Sequence, residues 1–444
     1  MTRKTCLTVI SCFVLCWLAV AQTASKPEPK TTYILAGRLF DSTSENVRET
    51  MVIVVEGERI KSVASATAVK IPADSNVIDL SNATVLPGLI DCHTHLGSRA
   101  DRYNEIYDFK DSPFSSAFAA VVNARRTLEA GFTTVRDVGS EPFLAVDLRN
   151  SINEGFLVGP RVVASGPGIS ITGGHGDLNN YTPQTRVMMF PEERDYQIAD
   201  GADQIRHTIR AQEKYGVDVI KILASGGVLS RGDQPGAPQY TLEELKAAAE
   251  TAHMGGRKIA AHAHGAVAIK NAILAGIDSI EHASLVDDEG IRLAKEHGTY
   301  FVMDIYNDDY LLNEAPKWGL TQEKLDKEKA VGRLQRENFE KAFKAGVKMA
   351  FGTDAGVYPH GDNAKQFFYM VKYGMTPAQA IRAATSSAAD LIGRSADVGT
   401  IEAGKCADII AVENDPLADV RVLEHVAFVM KGGVVFKDIA TARR

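Results

Sequence analysis

The chain has 444 residues, with 49 Lys+Arg against 56 Asp+Glu and a formal net charge of −7. Hydrophobic content of 45%, charged content of 24% and 37 glycines are ordinary for a globular chain, which excludes disorder, collagen and coiled coil as whole-chain descriptions. The mild acidity argues against a nucleic-acid binder, and the length suffices for one large core or for two or three domains.

The first residues read as a leader. Arg3 and Lys4 precede an apolar run from Leu7 to Val20, and Ala19-Val20-Ala21 offers a small-x-small cleavage site. The run is shorter than the ~20 residues a spanning helix needs. The expectation is a signal peptide over 1–21 and an exported protein, periplasmic or secreted, with no stable membrane anchor. Cleavage would remove Cys6, Cys12 and Cys16 and leave Cys92 and Cys406, so the mature chain is not a disulfide scaffold.

Residues 31–83 then carry short strand patterns, Thr32–Leu35, Met51–Val55 and Ile60–Val63, separated by turn residues. The texture returns near the end, in Ala407–Val412 and Ala427–Met430. Between them, short apolar runs alternate with helical stretches. The runs are Val85–Ile90, Thr133–Val135, Arg161–Ala164, Val217–Leu223, Lys258–Ala261, Ser279–Ile280, Tyr300–Met303 and Lys348–Phe351. The helical stretches include Ala117–Ala130, Leu242–His253, Ala266–Ala275, Ile291–His297 and Leu325–Ala345. Such alternation indicates an α/β fold with a parallel sheet, and eight runs suggest a closed (β/α)₈ TIM-type barrel over 85–397. Segments 22–84 and 398–444 are expected to pack together as one small β-sandwich domain.

Metal-binding residue types recur where these runs end. His93 and His95 flank Thr94, and in a strand residues i and i+2 face the same way. Neutral imidazole suits zinc and similar borderline ions. Lys221 sits inside the apolar run Val219–Leu223, where a bare ammonium would be costly to desolvate. It is either a structural lysine paired with an acid or a neutral amine that takes up carbon dioxide and bridges two metals as a carbamate. His262 and His264 end the fifth run, His282 the sixth and Asp354 the eighth. Barrel active sites occupy that face, and chance placement of the whole set is improbable.

The pattern resembles the amidohydrolase superfamily over essentially the whole mature chain, through Pro87–His95 and the return Gly399–Ile409. Gly173–Asp177, His262–Gly265 and Ser279–Ala283 resemble more narrowly its imidazolonepropionase-related branch, which contains prolidase-like Xaa-Pro and Xaa-Arg dipeptidases and ochratoxin A-hydrolysing amidohydrolases. The resemblance implies that His93, His95 and Asp354 hold one metal and that His262 and His282 hold the other. Carboxylated Lys221 then bridges them. Two divalent ions, zinc in the first instance, would activate a water, and Asp354 would act as general base and then acid. The implied reaction is hydrolysis of a small-molecule amide that releases a C-terminal amino acid from an N-acyl amino acid or dipeptide, with ochratoxin A as a candidate.

His175 and His264 are expected either to bind the substrate carbonyl or carboxylate or to order the site from behind. Tyr306 is a further substrate-binding candidate, with packing as its other reading. Phe114, Phe118 and Tyr306 hint at an apolar approach, and Arg136-Asp137 reads as a structural ion pair near the site. Relatives that form homo-oligomers imply one here. Two rivals stay open. A cyclic-amide hydrolase of the imidazolonepropionase type manages with one metal, so Lys221 speaks against it. A non-catalytic metal- or solute-binding protein would need ligands but no Asp354 poised for proton transfer.

Overall fold

A computed structural model of the chain describes residues 31–185 and 196–439, so the expected leader over 1–21 lies outside the described residues. Four strands come first: β1 (Thr31–Leu39), β2 (Arg48–Glu56), β3 (Arg59–Ser65) and β4 (Asn76–Pro87). Then follow β5 (Leu89–Thr94), β6 (Phe132–Asp137), β7 (Arg161–Ala164), β8 (Val219–Leu223), β9 (Lys258–Gly265), β10 (Ser279–Leu285) and β11 (Tyr300–Val302). The last three are β12 (Ile409–Val412), β13 (Phe428–Lys431) and β14 (Val434–Asp438). Three sheets result, ordered β14-β13-β12-β4-β1-β2-β3, β5-β6-β7 and β8-β9-β10-β11.

The seven-stranded sheet joins segments near both ends of the chain. β1 buries every second residue, the pattern of a strand with one face on a core. Its core includes Ile34, Ile53, Val85, Ile409 and Phe428. The described strands of the expected β-sandwich domain form one seven-stranded sheet with this shared core. Ile60 N donates to Lys405 O at 2.9 Å and Ala407 N to Glu58 O at 2.8 Å, which returns the β2–β3 turn to the segment before β12.

The α/β part has parallel pairing throughout β5–β7 and β8–β11. β8, Val-Ile-Lys-Ile-Leu, is buried at every position, as expected of a parallel strand covered on both faces. Helices fall between the strands and are capped as their sequences dictate. Thr241 and Glu244 form a reciprocal capping box ahead of Leu242–Met254. Asp287 caps Asp288–His297, which Gly298 ends in the left-handed conformation.

Two expectations shift in position. The first run is split at Gly88: β4 carries the outer sheet as far as Pro87, past the expected boundary at 84/85, and β5 starts at Leu89. A Cβ at Gly88 would lie 2.1 Å from Thr133 Oγ1, so only glycine lets the two strands meet there. The eighth run, Lys348–Phe351, forms no strand of its own. It still bonds on both sides, with Phe301 N donating to Lys348 O at 2.9 Å and Cys92 N to Phe351 O at 2.9 Å. Asp354, at φ 57°, turns the chain out of the pleat immediately afterwards.

Candidate metal centre

The ends of β5, β8, β9 and β10 and the turn at Asp354 converge. His93 and His262 lie 5.0 and 4.5 Å from His282, ring centre to ring centre, and His264 stacks on His282 at 4.8 Å. Asp354 Oδ1 is 3.0 Å from His95 Nε2 and 3.4 Å from His93 Nε2. Two triads, His262/His264/His282 and His93/His282/Asp354, each have candidate ligand atoms within 4.8 Å of one another. Lys221 is 2% exposed, and the carboxylates nearest it in effect are Glu281 and Asp354. Burial pushes its amine down to about 8, toward the neutral form.

The donor chemistry fits divalent metal. Burial holds His93, His262 and His264 well below the ordinary imidazole value, so they are neutral, the form that ligates. Burial acts the same way on His95 and His282, but Asp354 and Asp304 respectively outweigh it and raise both. His95 donates from Nδ1 to Gly139 O at 2.8 Å, and His282 from Nδ1 to Asp304 Oδ1 at 2.7 Å. His282 Nε2 is left for a metal, while His95 Nε2 faces Asp354 Oδ1; in both, a carboxylate or carbonyl on Nδ1 orients the ring as it would a ligand. Burial alone would raise Asp354, yet the His95 hydrogen bond and charge hold it below the usual carboxylate range. His282, Ala283 and Asp354 all lie at positive φ, so the backbone is strained where ligands concentrate.

A frame of buried polar residues sets these positions. Asp91 accepts from His93 N and Thr353 N, both at 3.1 Å, and from Asn363 Nδ2 at 2.8 Å, which ties β5 to the Asp354 turn. Arg136 does not pair with Asp137 as expected. It donates to Glu281 Oε1 at 2.8 Å and to Cys92 O at 2.6 Å, while Asp137 accepts from Leu96 N at 2.6 Å. The side chains of residues 136 and 137 point to opposite faces of β6, so neighbours in sequence cannot meet. Glu281 Oε2 in turn lies 3.0 Å from His93 Nδ1.

Most expected site residues come together here. His175 stacks on His262 at 4.3 Å, with Nδ1 2.8 Å from Ser230 Oγ, and His264 Nδ1 is 2.8 Å from Ser284 Oγ. Burial pushes His175 down to about 4. Tyr306 instead packs edge-on against Tyr358 at 4.8 Å, in a satellite aromatic cluster. Phe114 and Phe118 are exposed on the helix Pro113–Glu129. Sequence reasoning missed Asp304, Asn307 and Gln335. Asn307 Nδ2 donates to Asp304 Oδ2 at 2.6 Å and Asp354 Oδ2 at 3.2 Å, and Gln335 Nε2 donates to Asp304 Oδ1 at 2.9 Å. Asp304 follows the apolar run Tyr300–Met303, so the strand-end rule that found the histidines would have found it too.

A parallel α/β scaffold with buried histidines and an aspartate at its strand ends could hold a metal ion, the arrangement suited to hydrolysis. The chain matches the amidohydrolase family over residues 84–436 and belongs to it. It is 35% identical over 430 residues to ochratoxinase from Aspergillus niger, covering 93% of this chain and 88% of that protein. The crystal structure of A. niger ochratoxinase superposes with a TM-score of 0.81, at 32% identity over the superposed residues, 93% of this chain and 97% of that one. A Xaa-Pro dipeptidase with bound methionine in the active site matches with a TM-score of 0.84 and 38% identity, over 92% of this chain and 100% of that one. Imidazolonepropionase from Cutibacterium acnes is 25% identical over 81% of this chain and 83% of its own length. The protein is a hydrolase acting on amide bonds of small molecules.

Proposed function

We propose that the protein is an exported amidohydrolase with two divalent ions, zinc in the first instance, that releases a C-terminal amino acid from an N-acyl amino acid or dipeptide. Ochratoxin A, cleaved to ochratoxin alpha and phenylalanine, is the first substrate to try, on the strength of the ochratoxinase likeness. The observation that carries this reading is the convergence of buried histidines and the Asp354 carboxylate in two triads that share His282. His93, His95 and Asp354 would hold one ion, His262 and His282 the other, and Lys221, carboxylated on Nζ, would bridge them. When bound, the ions lower the pKa of a coordinated water and polarise the substrate carbonyl.

The chain's own residues supply the rest. Asp354, ionised and held by His95 and Asn307, accepts the water proton on a carboxylate oxygen and delivers it to the leaving nitrogen. His175 and His264, which stack on the ligand histidines, would line the substrate, whereas Tyr306 packs away from them. A closed (β/α)₈ barrel would gather these groups at one mouth. The parallel bridges Ile169↔Ile222, Phe301↔Met349 and Thr94↔Ala355, which connect successive sheet edges, support that reading. No helix among the described residues is long and apolar enough to cross a membrane. Export through a leader over 1–21 and assembly as a homo-oligomer complete the proposal.

Elemental analysis of protein purified without chelator should find about two ions per chain, since the donors exceed what one tetrahedral site takes. A value near one would favour the cyclic-amide alternative. Incubation with N-acyl amino acids, dipeptides and ochratoxin A should release free amino acid, and Asp354→Asn should abolish it. Release from prolyl or basic dipeptides alone would overturn the substrate and leave the mechanism.

A further inference from the structure

The helix Pro113–Glu129 is firmly seated on its inner side and bare on its outer one. Ala120, Ala124 and Leu128 face the core, and Asn123 Nδ2 donates to Leu96 O at 2.8 Å and Ser98 O at 2.9 Å. His360 links Thr127 Oγ1 to His95 O, at 3.1 Å from each. On the outer side Phe114, Phe118 and Val122, spaced at i, i+4 and i+8, are 71%, 72% and 48% exposed. Ile106 and Phe109 are exposed on the segment just before them. This stripe does not serve the site. Ser116, two residues from both phenylalanines and so on the opposite side of the helix, is the one that donates to Glu141, beside Gly97 where the chain leaves His95.

Such a stripe is costly to leave in water. Phe109, Phe114 and Phe118 together leave roughly 400 Å² open, each aromatic side chain presenting about 200 Å². A standard interface takes about 800 Å² from each partner, somewhat more than half of it apolar, so these rings supply nearly the whole apolar share. Charge then says what the partner is. Phe114 and Val122 lie four residues either side of Phe118, and Asp111 and Arg125 lie seven either side. The pattern is symmetric about Phe118 except that its two ends carry opposite charge. Two copies crossing antiparallel at Phe118 bring Phe114 onto Val122 and Asp111 onto Arg125, twice over. A parallel crossing would set Asp111 against Asp111 and Arg125 against Arg125. Within one chain, Asp111 accepts from Arg102 Nε at 3.3 Å and Arg125 Nε donates to Glu129 Oε1 at 2.8 Å, both exposed pairs worth little. Ser115, Ala117 and Ala119 flank the stripe and are small enough to let two helices approach. A lipid surface fits less well, because residues 99–129 carry five basic and five acidic side chains and no basic excess.

We infer that the outer face of this helix is the contact between two copies of the chain, packed antiparallel about a two-fold axis at Phe118. The inference rests on the homo-oligomer reading above and names its surface. A two-fold contact uses the same patch on both subunits, which the symmetric spacing of the stripe allows. Because the inner face of the same helix holds residues 95–98, the contact also braces the strand end that carries His95.

The test is sedimentation velocity on the zinc-loaded enzyme over a dilution series. The wild type should self-associate. Phe118→Glu, which sets two carboxylates against each other on the axis, should weaken that association by at least about 10-fold, with circular dichroism unchanged. Asp111→Arg and Arg125→Asp should each weaken it by about 10-fold, since each puts like charges opposite one another. An equimolar mixture of these two variants should recover it, because each then supplies the charge the other lacks. A wild type that stays monomeric at micromolar concentration overturns the inference together with the homo-oligomer reading. Binding of that monomer to phosphatidylcholine vesicles would assign the stripe to lipid instead. Assembly unchanged in Phe118→Glu, or no recovery in the mixture, overturns the inference alone and leaves the oligomer to another surface.

Discussion

Lys221 is the side chain whose burial is hardest to explain without chemistry. It sits at the centre of an otherwise aliphatic, fully buried strand, and its amine is pushed down to about 8 chiefly by desolvation. A neutral amine is the form that can be carboxylated and then held between cations, whereas an ammonium beside two dications would be repelled. Lys221→Ala should lose activity by at least ~100-fold and lose one or both ions, with its circular dichroism retained. Short carboxylic acids added to the variant should restore part of the turnover. Full activity with both ions present would remove Lys221 from the metal site. Glu328, 4% exposed, poses the opposite problem, because burial and then the charges of Asp308 and Asp304 push its carboxyl from 4.5 up to about 8. The folded state binds this proton more tightly than the unfolded chain does. Its contribution is therefore full below pH 4.5 and is lost as pH rises through about 8. In metal-free protein, Glu328→Gln should flatten the decline of melting temperature across that window and be the more stable form at its alkaline end.

Arg136 joins strands that are distant in sequence. From β6 it reaches Cys92 O in β5 and both Ser279 and Glu281 in β10, all buried. Removing it strands the Glu281 carboxylate, so Arg136→Leu should destabilise by about 3–5 kcal/mol in urea titration, as for other buried pairs broken on one side. A change below about 1 kcal/mol would mean that Glu281 protonates without difficulty. The same residue shows where sequence reading stops. β8 and β9 are legible because a short apolar run, broken only by Lys221 in one and ending in His262 and His264 in the other, has one plausible placement. The partner of Arg136 lies 145 positions away, and nothing local distinguishes it from the adjacent Asp137 except the direction in which a strand side chain points. The strands of the outer sheet and the joining of the two ends were legible, but its strand order was not: β4 pairs in parallel with β1 and antiparallel with β12, and such non-local pairing leaves no local pattern. The eighth run was legible as apolar, but the turn at Asp354 ends its pleat before a strand can extend.

For the molecule as a whole, a site that exists only when the distant segments 89–95, 221, 262–282 and 354 meet should couple metal binding to stability. Stripping with chelator should lower the melting temperature, and zinc at about 100 times its dissociation constant should restore about 2.7 kcal/mol. An unchanged melting temperature would mean that the ions bind a part of the chain that stays structured on unfolding. The outer sheet imposes a different demand, one of timing. β4 has one neighbour, β1, from the start, but its other edge is filled by β12, which begins at Ile409. At roughly 5–20 residues per second, the ribosome needs on the order of tens of seconds between the two. Throughout that interval a nascent chain carries an open strand edge bearing Val85 and Leu86, a template for pairing with other chains. Chains released before residue 409 should therefore be recovered as aggregates or bound to chaperones, while chains completed through β14 close the edge themselves.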